Sequence, residues 1–230
     1  MVQITISEKI TQACPDVHIL AITCNIHNTP SDPQLWEEIT QAEQEFRKQY
    51  QLSDINKIPA IQATRQAYKR LGKDPNRYRP SSEALCRRIL RELPLYRIDT
   101  LVDLVNLISI KSGYSIGAFD RDKIEGDQII LGVGEAGELY RGIGRGELNI
   151  EGLPVYRDRI GGIGTPTSDE ERTKIEISTE RLLMIINGYS GLPGLEETGR
   201  WTAQLLRRYV SADNLEGFII SGVDQMKISL

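Results

Sequence analysis

Residues 100–119, TLVDLVNLISIKSGYSIGAF, contain the point at which the hydrophobic pattern of the chain changes. Apolar side chains follow Thr100 and Asp103 at helical spacing and predict a helix that ends near Gly113. From Ser115 onward, short apolar runs alternate with glycine-rich turns, which is typical of β-strands. Because helices are grouped before this point and strands after it, the sequence favours an α+β fold over an alternating, doubly wound sheet.

Further elements are predicted on both sides of this stretch. Upstream we expect strands at residues 3–6 and 18–24 and helices at residues 35–50, 59–72 and 81–93. Ser31 or Asp32 would cap the first of these helices. Downstream we expect a helix at residues 196–209 and strands at residues 116–119, 129–131, 139–140, 148–150, 155–156, 175–177, 182–186 and 218–220.

This order of elements predicts a core that is like a β-barrel or a β-sandwich, with flanking helices. Residues 1–72 would form an N-terminal α/β elaboration, a strand–helix unit packed on the core. Residues 73–230 would form the main domain, and the two parts would make one compact unit.

The composition excludes several classes of protein. The chain has 230 residues, of which 40% are hydrophobic and 26% charged, a balance typical of globular proteins. No apolar run approaches the ~18 residues of a membrane-spanning helix, and the first residues, MVQITIS, do not resemble a secretory signal. We therefore expect a cytoplasmic protein without a membrane partner. The formal net charge of −4 argues against a non-specific polycation, and we expect no DNA partner.

The cysteines and histidines give little support to metal or redox chemistry. Cys14, Cys24 and Cys86 are odd in number, far apart and without a CxxC pair. His18 lies inside an apolar strand and His27 follows its end, and neither belongs to a triad or to a metal-ligand spacing. We expect no metal and no cofactor.

Two glycine clusters are better explained as turns than as phosphate-binding loops. Residues 132–137, GVGEAG, match the GxGxxG pattern of dinucleotide sites, but the next residues, 138–144, are too short and too rich in glycine for the required helix. A hairpin turn explains this cluster, and turn geometry also explains residues 142–146, GIGRG.

A strongly basic segment lies at residues 65–97. It holds ten basic and three acidic residues, a local net charge of +7 in a chain of net charge −4. Tyrosines are interleaved with the basic residues, which favours a surface that contacts a phosphate backbone; a solvated helix face is the alternative. The arginines expected to contact RNA are Arg77, Arg79, Arg87, Arg88 and Arg91.

A candidate ligand site lies at residues 161–172, GGIGTPTSDEER. Small residues let a ligand approach the backbone, and three hydroxyl side chains lie beside Asp169 and Arg172. The alternative is a loop in which Ser168 caps a short acidic turn.

Residues 98–107, IDTLVDLVNL, and 113–126, GYSIGAFDRDKIEG, resemble a known family. In the tRNA-binding and editing (B3/B4-type) domain of the phenylalanyl-tRNA synthetase beta subunit, a helix carries Val-Asp-x-x-Asn, and a loop reads Gly-x-Pro-x-His-Ala-Phe-Asp before Asp-Lys-x-x-Gly. The similarity runs from about Lys73 to Gly191. Because no synthetase core fits in this length, the chain resembles a free-standing relative of that domain.

The resemblance implies a function. The family's domain hydrolyses tyrosine wrongly attached to the tRNA for phenylalanine. We therefore expect binding of tRNA or aminoacyl-tRNA, with trans-editing deacylation of a mischarged tRNA if the protein is an enzyme. Two alternatives remain: a binding protein for an amino acid or small metabolite that has lost the editing chemistry, and a protein-interaction module.

The resemblance also implies the position of a substrate pocket. The family's loop histidine falls at Gly117, a helix threonine falls at Val105, and the glutamate that recognises tyrosine falls near Thr179 or Glu180. An activated ester needs mainly orientation and amide donors, so no catalytic side chain is named. The expected pocket residues are Asn106, Gly117, Gly161, Gly162, Gly164, Thr165, Thr167, Ser168 and Glu180.

Overall fold

The computed structural model describes residues 3–230, which form helices and strands in three layers. The helices are α1 (Glu8–Ala13), α2 (Pro33–Gln49), α3 (Pro59–Arg70), α4 (Ser81–Leu90), α5 (Thr100–Ser112) and α6 (Leu195–Val210). The strands are β1 (Gln3–Ile6), β2 (His18–Asn25), β3 (Ile116–Asp120), β4 (Gln128–Val133), β5 (Arg141–Gly142), β6 (Gly146–Glu147), β7 (Pro154–Arg157), β8 (Gly162–Gly164), β9 (Arg181–Gly188), β10 (Asp213–Ser221) and β11 (Asp224–Ile228). No helix among these residues is long and apolar enough to cross a membrane.

Two sheets pack against each other as a sandwich. The larger sheet has the strand order β11-β10-β2-β9-β3, and all its neighbours are antiparallel. The smaller sheet has the order β1-β4-β7-β8, in which β1 and β4 are parallel. Both sheets keep two edges and neither closes within residues 3–230. The predicted α+β class and sandwich-like core are therefore confirmed, whereas the barrel alternative is wrong.

The central strand β2 separates two hydrophobic cores. Leu20 and Ile22 pack with the helices, while Ile19 and Ala21 pack with the smaller sheet. This arrangement follows from the alternation of side chains along a strand, because successive residues point to opposite faces. Helices α2, α4, α5 and α6 therefore lie on one face of the larger sheet, and the smaller sheet covers the other.

Helix α5 is held firmly at its N-terminal end. Asp99 caps it by accepting a hydrogen bond from a first-turn N–H at 2.8 Å. The buried carboxylate of Asp103 accepts hydrogen bonds from Trp36 Nε1 at 2.6 Å and from Ser31 Oγ at 2.5 Å. Ser31 therefore does not cap α2, and Asp32 does so.

Three short predicted strands are irregular in the structure, at residues 139–140, 148–150 and 175–177. Tyr140 and Ile150 are buried in a small cluster of their own, to which Leu148 packs. For Tyr140 and Ile150 the apolar character reflects burial without sheet pairing, whereas Leu139 and Ile177 are exposed. Helix α1 and strand β11 were not predicted, because both are short and mostly polar.

The predicted N-terminal elaboration contributes strands to both sheets. β1 lies at an edge of the smaller sheet, and β2 lies in the middle of the larger one. The domain boundary at residue 72 stays a prediction.

Candidate functional site

Two adjoining pockets lie along one side of α5 and share the wall residues Ile98, Val102, Asn106 and Ile143. Their volumes are about 530 and 570 Å³. Both volumes lie within the range of ~300–1,000 Å³ that is usual for small-molecule sites. The two pockets together are called the groove below.

The first pocket, called the arginine pocket, is lined by basic side chains. Its arginines are Arg79, Arg87, Arg88, Arg91 and Arg145. Four of them were predicted to contact RNA, and Arg145 comes from the turn between β5 and β6. The fifth predicted arginine, Arg77, is exposed and lies outside the pocket wall, near the ring of Tyr78.

A buried carboxylate on α4 orients part of this pocket. Glu83 is fully buried, and its oxygens accept from Arg65 Nη1 at 2.8 Å and from Arg87 Nε at 2.7 Å. Arg79 Nε lies 3.8 Å from the same carboxylate. One negative charge among three arginines leaves a local excess of positive charge, and Arg79 is 44% exposed.

An arginine and a tyrosine form a stacked pair at the rim of the arginine pocket. The guanidinium of Arg88 lies 4.3 Å from the ring centre of Tyr96, and its Nε donates to the carbonyl of Pro94 at 2.6 Å. Tyr96 is 66% exposed. Exposed aromatic rings beside arginines are typical of surfaces on which nucleic-acid bases stack.

The second pocket, called the apolar pocket, has a mostly aliphatic wall that also includes the charged residues Asp99, Asp169, Lys174 and Glu176. Its apolar residues beyond the shared ones are Val105, Ile116, Ala118, Ile175 and Ile177. Asp169 lines this pocket, and its Oδ2 accepts a hydrogen bond from the backbone N–H of Ala118 at 3.1 Å. Burial raises the pKa of Asp169 to about 8.

Two glycines leave room for Asp169. A Cβ atom at Gly164 would lie 2.9 Å from Oδ1 of Asp169 and 2.5 Å from the ring of Phe119. At Gly117, it would lie 3.1 Å from the same oxygen and 2.7 Å from the same ring. The position at which the resemblance places a histidine is therefore occupied by the carboxyl group of Asp169 and the ring of Phe119.

The loop before Asp169 is fixed by its own hydroxyl groups and by two tyrosines. Thr165 Oγ1 accepts from the N–H groups of Thr167 and Ser168, each at 3.1 Å. Tyr68 shares a hydrogen bond of 2.8 Å with Thr167 Oγ1, and Tyr140 donates to the Ser168 carbonyl at 2.7 Å. These hydroxyls support the loop, and Thr167 and Ser168 also line the arginine pocket.

The structure brings together some of the residues predicted for the pocket and separates others. Asn106 lines both pockets, and Gly117 and Gly164 adjoin Asp169. Neither pocket wall includes Gly161, Gly162 or Glu180. Gly162 is instead covered by the ring of Tyr140, 2.8 Å from where its Cβ would be, and Glu180 is exposed. Their functional roles stay predictions.

The sequence predicted no individual role for Asp169, which lies beside the hydroxyl residues, and no place in the site for Arg145. The sequence feature that points to Asp169 is its position in a segment of small residues. Its raised pKa depends on packing across β3, which a single sequence does not show. Arg145 lies in a glycine cluster that turn geometry alone explains.

The comparisons with known proteins agree with this architecture. A solved structure that matches is an N-terminal fragment of the phenylalanyl-tRNA synthetase beta subunit from Pyrococcus horikoshii, with 14% sequence identity and a TM-score of 0.52. The match covers 100% of this chain and 55% of that fragment, so the chain spans just over half the length of that fragment. At this identity the likeness shows the fold alone.

No curated protein matches the sequence. Residues 63–192, more than half of the chain, match the sequence model of the B3/4 domain. The resemblance to the B3/B4-type domain is thereby confirmed, and the chain belongs to the B3/4 domain family.

Proposed function

We propose that this protein binds the aminoacylated end of tRNA in the groove and deacylates a mischarged tRNA in trans. This proposal rests on one observation: an arginine-lined pocket and an apolar pocket lie side by side and share one wall along α5. An aminoacyl-tRNA has the matching chemistry, because a polyanionic strand is joined by an ester to an amino acid.

The arginine pocket supplies the contacts for the nucleic acid. Arginine side chains bind phosphate oxygens by charge-assisted and bidentate hydrogen bonds. The stacked pair of Arg88 and Tyr96 offers an exposed aromatic face for a terminal base. The amino acid would then enter the apolar pocket past Asn106.

The family supports a tRNA-related partner. The matching solved structure is a fragment of a phenylalanyl-tRNA synthetase subunit, and the name of that enzyme indicates that it acts on tRNA. On this proposal the protein meets aminoacyl-tRNA in the cytoplasm.

The second candidate is a protein that binds an amino acid or a small metabolite without RNA. The apolar pocket favours it, because its volume of about 570 Å³ is sufficient for such a ligand alone. This candidate gives no role to the arginines.

A panel of mischarged tRNAs separates the two candidates. We expect the purified protein to release the amino acid from at least one member, measured as the loss of radiolabelled aminoacyl-tRNA over time. The free amino acid should bind weakly in calorimetry, because it lacks the phosphates. A protein that binds free amino acids tightly and ignores every tRNA would be a metabolite-binding protein.

A further inference from the structure

Asp169 differs from the other charged groups of the apolar pocket. Asp99 caps α5, Glu176 pairs with Lys123 at 2.6 Å, and Lys174 pairs with Glu171 at 2.6 Å. Among the described residues, the carboxyl group of Asp169 receives one hydrogen bond, from the N–H of Ala118 to Oδ2, and its Oδ1 has no hydrogen-bond partner. The pocket therefore contains one carboxyl oxygen that is available to a bound molecule.

The single hydrogen bond determines where a proton would be held. Because Oδ2 accepts the N–H of Ala118, a proton on the neutral carboxyl group belongs on Oδ1. The glycines on either side of Oδ1 keep side chains away from it. The carboxyl group is held in place by the backbone of β3 and by the loop at residues 165–168.

We propose that Asp169 is the catalytic proton donor of this site and protonates the ribose oxygen that leaves when the aminoacyl ester is cleaved. This inference rests on the proposed function. It names the side chain that acts in the deacylation.

The reaction balances without a cofactor. Water adds to the ester carbonyl, the bond between the carbonyl carbon and the ribose oxygen breaks, and the proton on Oδ1 passes to that oxygen. The carboxylate of Asp169 then takes the proton that the attacking water releases, so the side chain returns to its neutral form. The products are the amino acid and tRNA with a free ribose hydroxyl.

The electrostatic surroundings favour a proton donor at neutral pH. Burial raises the pKa of Asp169 to about 8, so most of the carboxyl groups are protonated at pH 7. Burial also raises the pKa of the neighbouring phenols of Tyr140 and Tyr156, which stay neutral. The charged groups around Asp169 are Glu170 next to it in the chain and Asp99, Lys174 and Glu176 on the pocket wall.

The substitution Asp169→Asn tests the proposal, because the amide matches the neutral carboxyl group in shape but does not transfer a proton. With a mischarged tRNA that the wild-type protein hydrolyses, we expect the single-turnover rate to fall by roughly 10²–10⁴-fold. Affinity for an analogue in which an amide replaces the ester should change less than threefold. The control variant Glu197→Gln, an exposed carboxylate on α6 outside the pocket walls, should hydrolyse at the wild-type rate.

The pH profile gives a second measurement that does not need a variant. The wild-type rate, corrected for uncatalysed hydrolysis, should be level below pH 8 and should fall above it. An Asp169→Asn rate within threefold of wild type, or a wild-type rate without this fall, overturns the role of Asp169 while leaving deacylation intact. If the wild-type protein binds the panel and hydrolyses none of it, the proposed deacylation itself fails, and the inference fails with it.

Discussion

The carboxyl group of Asp169 is held in the protein at a cost in stability. Its folded-state pKa of about 8 is well above the value of about 3.9 that an unfolded chain gives it. Between these two values, the unfolded chain has lost its proton and the folded chain has kept it. The contribution of Asp169 to the free energy of unfolding therefore decreases as the pH rises from 4 to 8.

Asp169→Asn should remove this part of the pH dependence. At pH 4 the variant and the wild type should be about equally stable, and by pH 8 the variant should be the more stable of the two. Urea unfolding at several pH values measures the difference. A difference in stability that stays constant from pH 4 to 8 would show that the carboxyl group titrates normally.

Residues 167–169 of the predicted ligand segment line the two pockets, but the contacts inside that segment were not predicted. The small residues and hydroxyls at residues 161–172 predicted a ligand site. Thr165 and Thr167, however, are engaged within the loop by backbone N–H groups and by Tyr68, which comes from α3. A contact of this kind depends on segments that are far apart in sequence, and periodicity does not reveal it.

Among the secondary-structure elements, helix α4 depends on Glu83 for its packing in the protein. Glu83→Gln removes the charge that opposes Arg65 and Arg87 inside the protein. We expect a loss of roughly 3 kcal/mol in urea unfolding, near the low end for a broken buried ion pair, because the amide oxygen still accepts a hydrogen bond.

The exposed substitution Glu45→Gln on α2 is the matched control, and it should change the free energy of unfolding by less than about 0.5 kcal/mol. Equal effects of the two variants would mean that the Glu83 ion pairs contribute little to stability.

The longer helices and several short strands, such as β1 and β3, were predicted close to their observed positions, whereas other short segments were not. The predicted helices at 59–72 and 100–113 end within a few residues of α3 and α5, because apolar periodicity and the following glycines mark them. An apolar run of two or three residues, such as residues 148–150, indicates burial but does not distinguish a strand from an irregular segment. β11 has no apolar alternation, since it lies at the edge of its sheet.

For tRNA binding by the molecule, the distribution of charge over the surface is more important than the net charge. The chain has a net charge of −4, but it places five arginines around one pocket. If about four of them reach phosphates, tRNA affinity should fall roughly 100-fold between 50 and 200 mM salt, as counterions compete for the strand.

Arg88→Ala combined with Arg91→Ala should reduce the slope of log affinity against log salt by about 1.5–2, measured by filter binding. Arg87 is left unchanged in this test, because its substitution would remove an ion pair of the buried Glu83 carboxylate. Arg200→Ala, on an exposed position of α6, is the control and should leave the slope unchanged. A slope that the double substitution does not alter would exclude the arginine pocket as the site of RNA contact.

The position of β2 in the sheet also affects how the chain folds during its synthesis. Within residues 3–230, β2 pairs with β9 and β10, and residues 26–180 separate it from the nearer of these strands. At ~5–20 residues per second, a ribosome takes roughly 8–30 seconds to add that segment. During this interval a strand of strongly apolar residues has no sheet to join. The pairing of β2 therefore has to wait until its partner strands β9 and β10 have been synthesised.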